Sequence, residues 1–233
     1  MVKSLIDRED LVFSPPALGC VLYLPGIPGG GGKAYDRSPC ANLGTITGAT
    51  WKRLPSSLWC LDFDGQDDSI SLGTPGSLDI TGDITICAWA YPASLPSETG
   101  NFTVFSKTQT LTTNGYELWL RTSDRIDFFT NQAATYQSSS SDDSVITKEE
   151  WQHLAVTRRG ATANLYRNAV DVTNTQGTHL APTPAGQTAQ VGRMGGSYPF
   201  HGRIALVLVY NRALSALEVR HLFDCEKHLF GVW

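Results

Sequence analysis

The chain has 233 residues, of which 41% are hydrophobic and 17% are charged. This composition supplies enough apolar side chains for one large core, and it excludes a long disordered or highly charged chain. The formal net charge of −4 and the pI of about 5.7 disfavour contact with phosphate backbones, and no Lys/Arg stripe offsets them. We therefore expect no nucleic-acid partner.

Cysteine usage and the first residues bear on the compartment. The five cysteines form no C-x-x-C pair, so neither a zinc ribbon nor a redox motif is predicted. Residues 1–10 contain no apolar segment of the kind that secretory signal peptides carry, and no later run is long enough to span a membrane. We therefore expect no membrane insertion, and release by lysis or a place on a virion surface rather than secretion through a signal peptide.

The chain begins with a charged segment and Ser14-Pro15-Pro16, which predicts an N-terminal arm over residues 1–20. Residues 21–24 predict a first strand, and the Pro- and Gly-rich residues 25–32 predict a loop. From residue 44 onwards, short apolar runs alternate with turn residues, which is typical of an antiparallel sandwich with hairpin connections. The further predicted strands are residues 44–47, 60–63, 69–72, 84–91, 103–107, 116–121, 125–130, 152–158, 161–167, 190–191 and 203–210.

The C-terminal region differs from the rest of the chain. Ser215 and Glu218 form a capping box, which predicts one short helix that starts at Ser215. We place the main domain at residues 21–224 and a C-terminal tail at residues 225–233. The arm and the apolar end, residues 230–233, are predicted to be docking segments, because exposed apolar termini often mark contact sites.

Alternation along two neighbouring strands separates two faces of a sheet, because successive strand residues point in opposite directions. In residues 116–121, Tyr116, Leu118 and Leu120 share one face, which is predicted to belong to the core. Residues 125–130 repeat the pattern. The opposite face mixes aromatic rings with acidic and guanidinium groups, contributed by Glu117, Trp119, Arg121, Asp127 and Phe129.

Three stretches, in this order along the chain, carry a family resemblance. The first is residues 44–72, which contain Leu61-Asp62-Phe63-Asp64-Gly65. The second is residues 151–170, which begin with Trp151-Gln152-His153-Leu154, and the third is residues 200–215, which begin with Phe200-His201-Gly202-Arg203-Ile204. Together they resemble the laminin-G-like, concanavalin A-like lectin family over residues 21 to 224. The resemblance implies an all-β jelly-roll sandwich of two antiparallel sheets, one of them concave, to which the predicted short C-terminal helix is added.

Members of this family bind carbohydrates or protein surfaces, often with a calcium ion at one rim. The resemblance therefore implies a non-enzymatic recognition module whose partner is a glycan or a protein surface. Residues 222–230 also resemble the ends of phage-encoded members. The alternative is thus a virion structural or decoration protein that uses the sandwich for contacts with capsid or tail proteins, or with further copies of itself.

The predicted ligand-binding residues lie on the mixed face: Glu117, Trp119, Arg121 and Phe129. Sugars stack their C–H faces on aromatic rings, while carboxylate and guanidinium groups bind their hydroxyls. Tyr198 joins this set from a loop at the rim, and Tyr136 and Phe200 are further rim candidates. The alternative is that a partner subunit or the termini of the chain cover this face.

The densest acidic cluster predicts a calcium site formed by Asp64, Asp67 and Asp68, beside Asp62, because calcium binds six to eight carboxylate and carbonyl oxygens. The alternative is an Asp-Gly turn whose acids only terminate the strands. Many family members carry an Asp-Glu pair where this chain has Ala205-Leu206. If those acids help to hold calcium in relatives, this chain lacks that help.

Patterns for catalysis are missing from the sequence. A glycosidase needs two carboxylates about 5–9 Å apart, which a Glu-x-Asp-x-Glu strand would provide, and the chain has no such strand. The five histidines show no metalloprotease spacing, and no Gly-x-Ser-x-Gly motif occurs. We therefore predict that the protein is not an enzyme.

Overall fold

The computed structural model describes residues 15, 17–28, 30–110, 114–132 and 135–233. The predicted N-terminal arm therefore lies mostly outside the described residues. The described residues form two sheets, of eight and nine strands, in which every strand pair is antiparallel. This arrangement confirms the predicted all-β sandwich of concanavalin A-like type.

Strands account for most of the regular structure. In chain order they are β1 (Cys20–Leu24), β2 (Lys33–Tyr35), β3 (Leu43–Thr47), β4 (Thr50–Arg53), β5 (Trp59–Asp64), β6 (Ser69–Gly73), β7 (Ile84–Pro92), β8 (Phe102–Ser106), β9 (Gly115–Arg121), β10 (Arg125–Gln132), β11 (Thr135–Ser141), β12 (Gln152–Arg159), β13 (Thr162–Arg167), β14 (Val170–Asp171), β15 (Thr173–Thr175), β16 (Ala189–Val191) and β17 (His201–Tyr210). Two helices, α1 (Pro96–Thr99) and α2 (Ala216–Glu226), and two 3-10 turns, Gly76–Leu78 and Lys227–Phe230, complete the elements of the described chain.

The strand order connects distant parts of the chain. The eight-stranded sheet runs β14-β13-β12-β7-β17-β5-β4, and β1 also pairs with β17. The nine-stranded sheet runs β15-β11-β10-β9-β8-β16-β6-β3-β2. Both sheets thus place β-strands from the first and last thirds of the chain side by side, as Greek-key connections do.

The main core lies between the two sheets and follows from the alternation of apolar residues along each strand. In β7, Ile84, Ile86 and Ala88 face this core. Tyr116, Leu118 and Leu120 of β9 lie in the same core, which confirms the predicted direction of that strand face.

A second apolar cluster lies on the outer surface of the eight-stranded sheet, beneath the C-terminal helix. Cys87 and Trp89 of β7 are fully buried there against Val219, Leu222 and Phe223 of α2. The burial of Cys87 agrees with its place in an apolar strand. This helix gives the eight-stranded sheet apolar contacts on both faces.

Helix α2 begins where the sequence predicts. Ser215 is its N-cap: the Ser215 hydroxyl accepts a hydrogen bond from the Glu218 N–H, and the Glu218 carboxylate accepts one from the Ser215 N–H. The helix continues past the predicted domain boundary at residue 224, and the Phe230 ring stacks on Trp89 with centroids 4.1 Å apart. Residues 225–230 therefore pack against their own sheet. Neither helix of the described chain is long and apolar enough to cross a bilayer.

Candidate functional site

The candidate site is the outer face of the nine-stranded sheet, meaning the face turned away from the core. Residues directly opposite each other on antiparallel strands share a face. Trp119 of β9 lies between Thr103 of β8 and Asp127 of β10. Glu117 lies between Ser106 and Phe129 in the next row. All the predicted strand residues of the ligand site are therefore neighbours on one surface.

Four aromatic rings form a continuous chain across the outer face. The ring centroids of Tyr198 and Trp119 lie 4.5 Å apart, those of Trp119 and Phe129 5.5 Å, and those of Phe129 and Tyr136 5.8 Å. The guanidinium carbon of Arg121 lies 5.6 Å from the Phe129 ring centroid. Alternation predicts Trp119, Arg121 and Phe129 on one face, and the pairing of β11 with β10 adds Tyr136 to it.

Only the ends of this aromatic chain reach the surface. Tyr136 is 59% exposed and Tyr198 is half-buried, whereas Glu117, Trp119 and Phe129 are at most 1% exposed. The prediction that these three side chains contact a ligand at an open surface therefore needs correction, because they lie beneath other parts of the chain.

A loop between β16 and β17 provides part of this cover. Met194 packs on Trp119 and Phe129, with Tyr198 beside them. Met194 and Ser197 exchange two backbone hydrogen bonds of 2.8 and 3.1 Å, which closes a tight turn around Gly195 and Gly196. Gly195 has a φ of +57°, a conformation that glycine adopts without strain. The two glycines therefore allow the loop to fold back over the sheet.

The covering loop is tied to the strands below it. The Thr103 N–H donates to the Tyr198 carbonyl oxygen at 3.0 Å, and the Gly195 N–H donates to Oε1 of Gln190 at 2.7 Å. Phe200, the other rim candidate, instead lies in the main core against Phe63 and Phe102 and is fully buried. The prediction for Phe200 is therefore wrong, because the loop turns inward after Tyr198.

Several buried polar atoms on the outer face have no hydrogen-bond partner among the described residues. They are Thr103 Oγ1, Glu117 Oε2, Trp119 Nε1, Arg121 Nε and Asn131 Oδ1. Buried polar atoms in proteins are nearly always hydrogen-bonded, so a group of unpaired ones needs an explanation. Asn131 and Thr103 escape sequence analysis, although Asn131 follows Phe129 by two residues and so shares its face.

Glu117 is the most strongly perturbed group of this face. Burial raises the pKa of its carboxyl to about 8, although hydrogen bonding to the Asn131 amide opposes the rise. The Asn131 Nδ2 donates to Oε1 of Glu117 at 2.5 Å. The Trp119 indole also lowers this pKa, but its N–H lies outside hydrogen-bonding geometry. At neutral pH the carboxyl therefore keeps its proton, and it offers both a donor and an acceptor.

Asp127, in contrast, is held by charged neighbours. One carboxylate oxygen lies 3.0 Å from Nε of Arg125, and the other lies 3.8 Å from Arg121. This single carboxylate balances part of the positive charge of the two arginines, and Asp143 also lies 3.7 Å from Arg125. The outer face therefore presents neutral hydrogen-bonding groups and aromatic rings rather than a strong field of one sign.

The predicted metal residues lie together at a different place, at the turn between β5 and β6. Ligand atoms of Asp64, Asp67 and Asp68 lie within 4.8 Å of one another. Two of the carboxylates also serve the turn: Asp68 accepts from the Asp64 N–H at 2.9 Å, and Asp64 accepts from the Gln66 N–H at 2.8 Å. Hard carboxylate oxygens fit calcium, but three residues supply only part of its six to eight ligands. Calcium at this turn stays a prediction.

Ala205 and Leu206, which stand where many family members carry an Asp-Glu pair, lie too far from this acidic turn to affect it. Strand β17 pairs His201 with Asp64 and Ile204 with Leu61, so Ala205 lies four strand residues, about 13 Å, from the level of Asp64. Both side chains are buried in the second apolar cluster. Their apolar character therefore stabilises the contact with the C-terminal helix and leaves the acidic turn unchanged.

A two-sheet sandwich with a polar and aromatic outer face defines the class of lectin-like jelly-roll domains. The chain belongs to the concanavalin A-like lectin/glucanases superfamily, because the family model Laminin_G_3 matches residues 64–220. A search of curated proteins finds no significant match.

Solved structures share the fold at low sequence identity. The binding domain of Paraclostridial Mosquitocidal Protein 1 is 16% identical with a TM-score of 0.70, and the match covers 92% of this chain and 55% of that one. The receptor binding domain of botulinum neurotoxin D is 13% identical with a TM-score of 0.67, covering 88% and 52%. This chain thus spans about half the length of these toxin domains.

A third similar structure matches over nearly its whole length. Domain 4 of AbnA, a GH43 extracellular arabinanase from Geobacillus stearothermophilus, was solved in complex with arabinotriose. It is 19% identical with a TM-score of 0.68, and the match covers 87% of this chain and 97% of that domain. At these identities the likeness establishes the fold alone.

Proposed function

We propose that this protein is a carbohydrate-binding module, and that it binds saccharides on the outer face of the nine-stranded sheet. The contact surface is formed by Tyr136, Tyr198 and Arg121, which reach the surface of that face. The buried residues Glu117 and Trp119 support it from below.

The observation that carries this proposal is the coincidence of aromatic rings and unpaired polar atoms on one face. Pyranose and furanose rings present C–H faces to aromatic rings and hydroxyls to polar groups. Here the aromatic chain from Tyr198 to Tyr136 runs directly beside Glu117 and Asn131, whose unpaired oxygens face the same side of the sheet.

The charge of the face favours a neutral saccharide. Asp127 neutralises Arg121 and Arg125 in part, and the Glu117 carboxyl is protonated at neutral pH because burial raises its pKa to about 8. A face without a strong charge of one sign suits the neutral hydroxyls of a saccharide, which both donate and accept hydrogen bonds. Domain 4 of the arabinanase, which was solved with a neutral trisaccharide, makes arabinan a first choice among test ligands.

The same geometry favours binding over hydrolysis. A glycosidase needs one carboxyl that gives a proton and a second one that is free to act as base or nucleophile. On the outer face, Asp127 is held in two ion pairs, and Glu117 is engaged by Asn131. The proposal therefore assigns no reaction to these residues.

Affinity electrophoresis in gels that contain single polysaccharides, arabinan among them, tests the proposal. The variants are Tyr136→Ala and Tyr198→Ala, with Tyr35→Ala as the matched control. Tyr35 is also an exposed tyrosine of the nine-stranded sheet, but it lies on the opposite edge strand, β2. Trp119→Ala is a poor test, because this fully buried side chain would leave a cavity and lower the stability.

We expect wild-type protein and Tyr35→Ala to be retarded equally by at least one neutral polysaccharide. Each of the other two variants should bind about two- to twelvefold more weakly, which is the range for one aromatic stacking contact. Retardation that neither tyrosine affects would exclude this face as the site. Absence of retardation on every polysaccharide would contradict carbohydrate binding altogether.

Two further measurements belong to the same experiment. Repeating it with calcium and with EDTA tests whether the acidic turn at Asp64, Asp67 and Asp68 contributes. An assay for new reducing ends detects hydrolysis, which the proposal does not expect. The alternative prediction, a virion structural or decoration protein, rests on the sequence, and the described structure adds no observation to it.

A further inference from the structure

A cleft lies on the other side of the sandwich, where strand β17 changes its neighbour. Residues His201–Ile204 of β17 pair with β5, whereas Val207–Tyr210 pair with β1. Between the two, a bulge interrupts the ladder to β7, and Leu206 adopts a φ of +46°, in the left-handed region that non-glycine residues rarely occupy. The ends of β1 and β5 therefore diverge at Leu206 and leave a gap beside it.

The gap opens into a cleft of about 730 Å³, which is within the size range of small-molecule sites. Its walls come from four parts of the chain: the end of β1, the turn before β5, the bulge at Leu206 and the 3-10 turn after α2. The lining includes Gly26, Arg53, Trp59, Leu206 and Glu226.

Most of this lining is apolar or aromatic, and two backbone features fix its shape. Gly26 is required where the β1 end passes β5, because a Cβ there would lie 2.1 Å from the Trp59 carbonyl oxygen. The turn that precedes Trp59 is closed by two backbone hydrogen bonds between Leu54 and Ser57 and between Leu54 and Leu58. The position of Trp59 at the cleft is thus fixed by local backbone geometry.

Arg53 is the charged group at this cleft. Its guanidinium carbon lies 6.0 Å from the Trp59 ring centroid, and the guanidinium group makes no ion pair or hydrogen bond with any described residue. Most other arginines of the described chain are paired with a carboxylate or a carbonyl. A guanidinium held against an aromatic ring keeps its donor edge free for a planar anion.

The only carboxyl among the lining residues is Glu226, and it does not neutralise Arg53. Glu226 is 1% exposed, and its Oε2 accepts a hydrogen bond of 2.6 Å from Trp89. Burial raises its pKa to about 8, so the group is uncharged at neutral pH. The cleft therefore combines a ring-stacking surface with a net positive charge, although the whole chain has a net charge of −4.

We infer that this cleft is a second ligand site, separate from the outer face of the nine-stranded sheet, and that it binds a small ring compound that carries a carboxylate. The ring lies against Trp59 and the apolar lining, and the carboxylate pairs with Arg53. An acidic monosaccharide and an aromatic acid share this chemistry, and a direct comparison distinguishes them.

The test is ligand-observed NMR and calorimetric titration of the full chain at pH 7 and constant ionic strength. The probes are glucuronate, benzoate and neutral methyl glucoside. The variants are Arg53→Leu and, as a matched control, Arg159→Leu. Arg159 is an exposed arginine of the same sheet, at the far hairpin between β12 and β13. Both positions are exposed, so neither substitution is expected to impair folding.

We expect at least one of the two acids to bind the wild type and Arg159→Leu equally, and the neutral glycoside to bind neither. Arg53→Leu should weaken the acid about tenfold or more, as expected for the loss of a charge-assisted contact. Binding of glucuronate alone identifies an acidic sugar, and binding of benzoate alone identifies an aromatic acid.

Three results would overturn the inference: no binding of either acid, equal binding of the neutral glycoside, or an affinity that Arg53→Leu leaves unchanged. The outcome is independent of the proposed polysaccharide site. Tyr136→Ala should leave acid binding intact, and Arg53→Leu should leave retardation by polysaccharides intact, because the two sites lie on opposite surfaces of the sandwich.

Discussion

The indole Nε1 of Trp89 donates a hydrogen bond of 2.6 Å to Oε2 of Glu226, a residue 137 positions later in the chain. Trp89 lies on the central strand β7, and Glu226 ends the helix that covers it. Both side chains are at most 1% exposed. This contact joins the C-terminal helix to the sheet by a buried polar bond within an apolar cluster, and it makes the stability of the domain depend on pH.

The first prediction concerns Glu226→Gln. Burial raises the pKa of Glu226 from 4.5 to about 8, so between these pH values the folded chain holds a proton that the unfolded chain has lost. The free energy of unfolding should therefore fall as the pH rises from about 4.5 to 8. Glutamine keeps an acceptor for Trp89 but cannot ionise. In urea unfolding, the free energy of unfolding of the variant minus that of the wild type should increase by more than about 1 kcal/mol between pH 5 and pH 9.

Asp224→Asn is the control for that measurement. Asp224 lies on the same helix, but it is exposed and pairs at the surface with Arg220 and Lys227. Its replacement should change the stability by less than about 1 kcal/mol. A stability difference between wild type and Glu226→Gln that stays constant from pH 5 to pH 9 would contradict the raised pKa of Glu226 in the folded protein.

Two buried histidines give opposite predictions for the same substitution. His153 is fully buried against Trp89, and neither of its ring nitrogens has a hydrogen-bond partner among the described residues. His179 is 3% exposed, and its two nitrogens bond to Thr130 and Ser139 at 2.8 and 2.9 Å. At pH 7, His153→Phe should raise the free energy of unfolding by about 1 kcal/mol, whereas His179→Phe should lower it by about 1–3 kcal/mol.

The pH dependence of the two variants adds a second check. Burial lowers the pKa of His153 from 6.5 to about 3, and that of His179 to about 4. The unfolded chain therefore takes up protons below pH 6.5 that the folded chain does not, and stability is lost as the pH falls through this window. Each variant should show a shallower loss of stability between pH 6.5 and pH 4. Destabilisation by His153→Phe at pH 7 would show that its nitrogens have partners in solution.

The role of the last residues can be tested with two aromatic substitutions. Phe230 is 9% exposed and stacks on Trp89, with an angle of 14° between the ring planes. Phe230→Ala should therefore lower the free energy of unfolding by about 3 kcal/mol. Trp233 is 94% exposed, so Trp233→Ala should change it by no more than about 0.5 kcal/mol. Equal effects in thermal or urea unfolding would show that residues 225–230 do not pack as part of the domain.

Alternating apolar residues are sufficient to predict the sandwich and most of its strands. Strands β7, β9, β10, β12 and β17 carry this pattern and form where predicted. The sequence does not predict strand β11, because Thr135-Tyr136-Gln137 followed by four serines has no apolar face. It forms because its backbone pairs with Asp127–Gln132 of β10, an interaction that side-chain periodicity does not encode. The sequence also does not predict the short strands β2, β4, β14 and β15, because two to four residues are too few to show an alternating pattern.

The sequence predicts which face of the sheet carries the candidate site, but it does not predict that the central side chains of this face are buried. Alternation correctly places Trp119 and Phe129 on the face opposite Leu118 and Phe128. The same pattern cannot show that a loop 75 residues after Trp119 folds back so that Met194 covers Trp119, since this depends on tertiary contacts. Gly195-Gly196 is the local feature that permits the turn, but a glycine pair alone does not specify the surface it packs against.

The last prediction concerns Glu117 and rests on the proposed saccharide site. Because burial raises the pKa of this carboxyl to about 8, a rise in pH from 6 to 9 removes its proton and creates a buried negative charge beneath the contact surface. This charge should loosen the packing that supports the surface tyrosines, so retardation of the wild type by a bound polysaccharide should weaken about fivefold over this range, which corresponds to about 1 kcal/mol. Glu117→Gln cannot ionise, so its binding should vary less, while Tyr35→Ala should follow the wild type. The same pH dependence in Glu117→Gln and wild type would place the titrating group elsewhere and exclude Glu117 as a support of the binding surface.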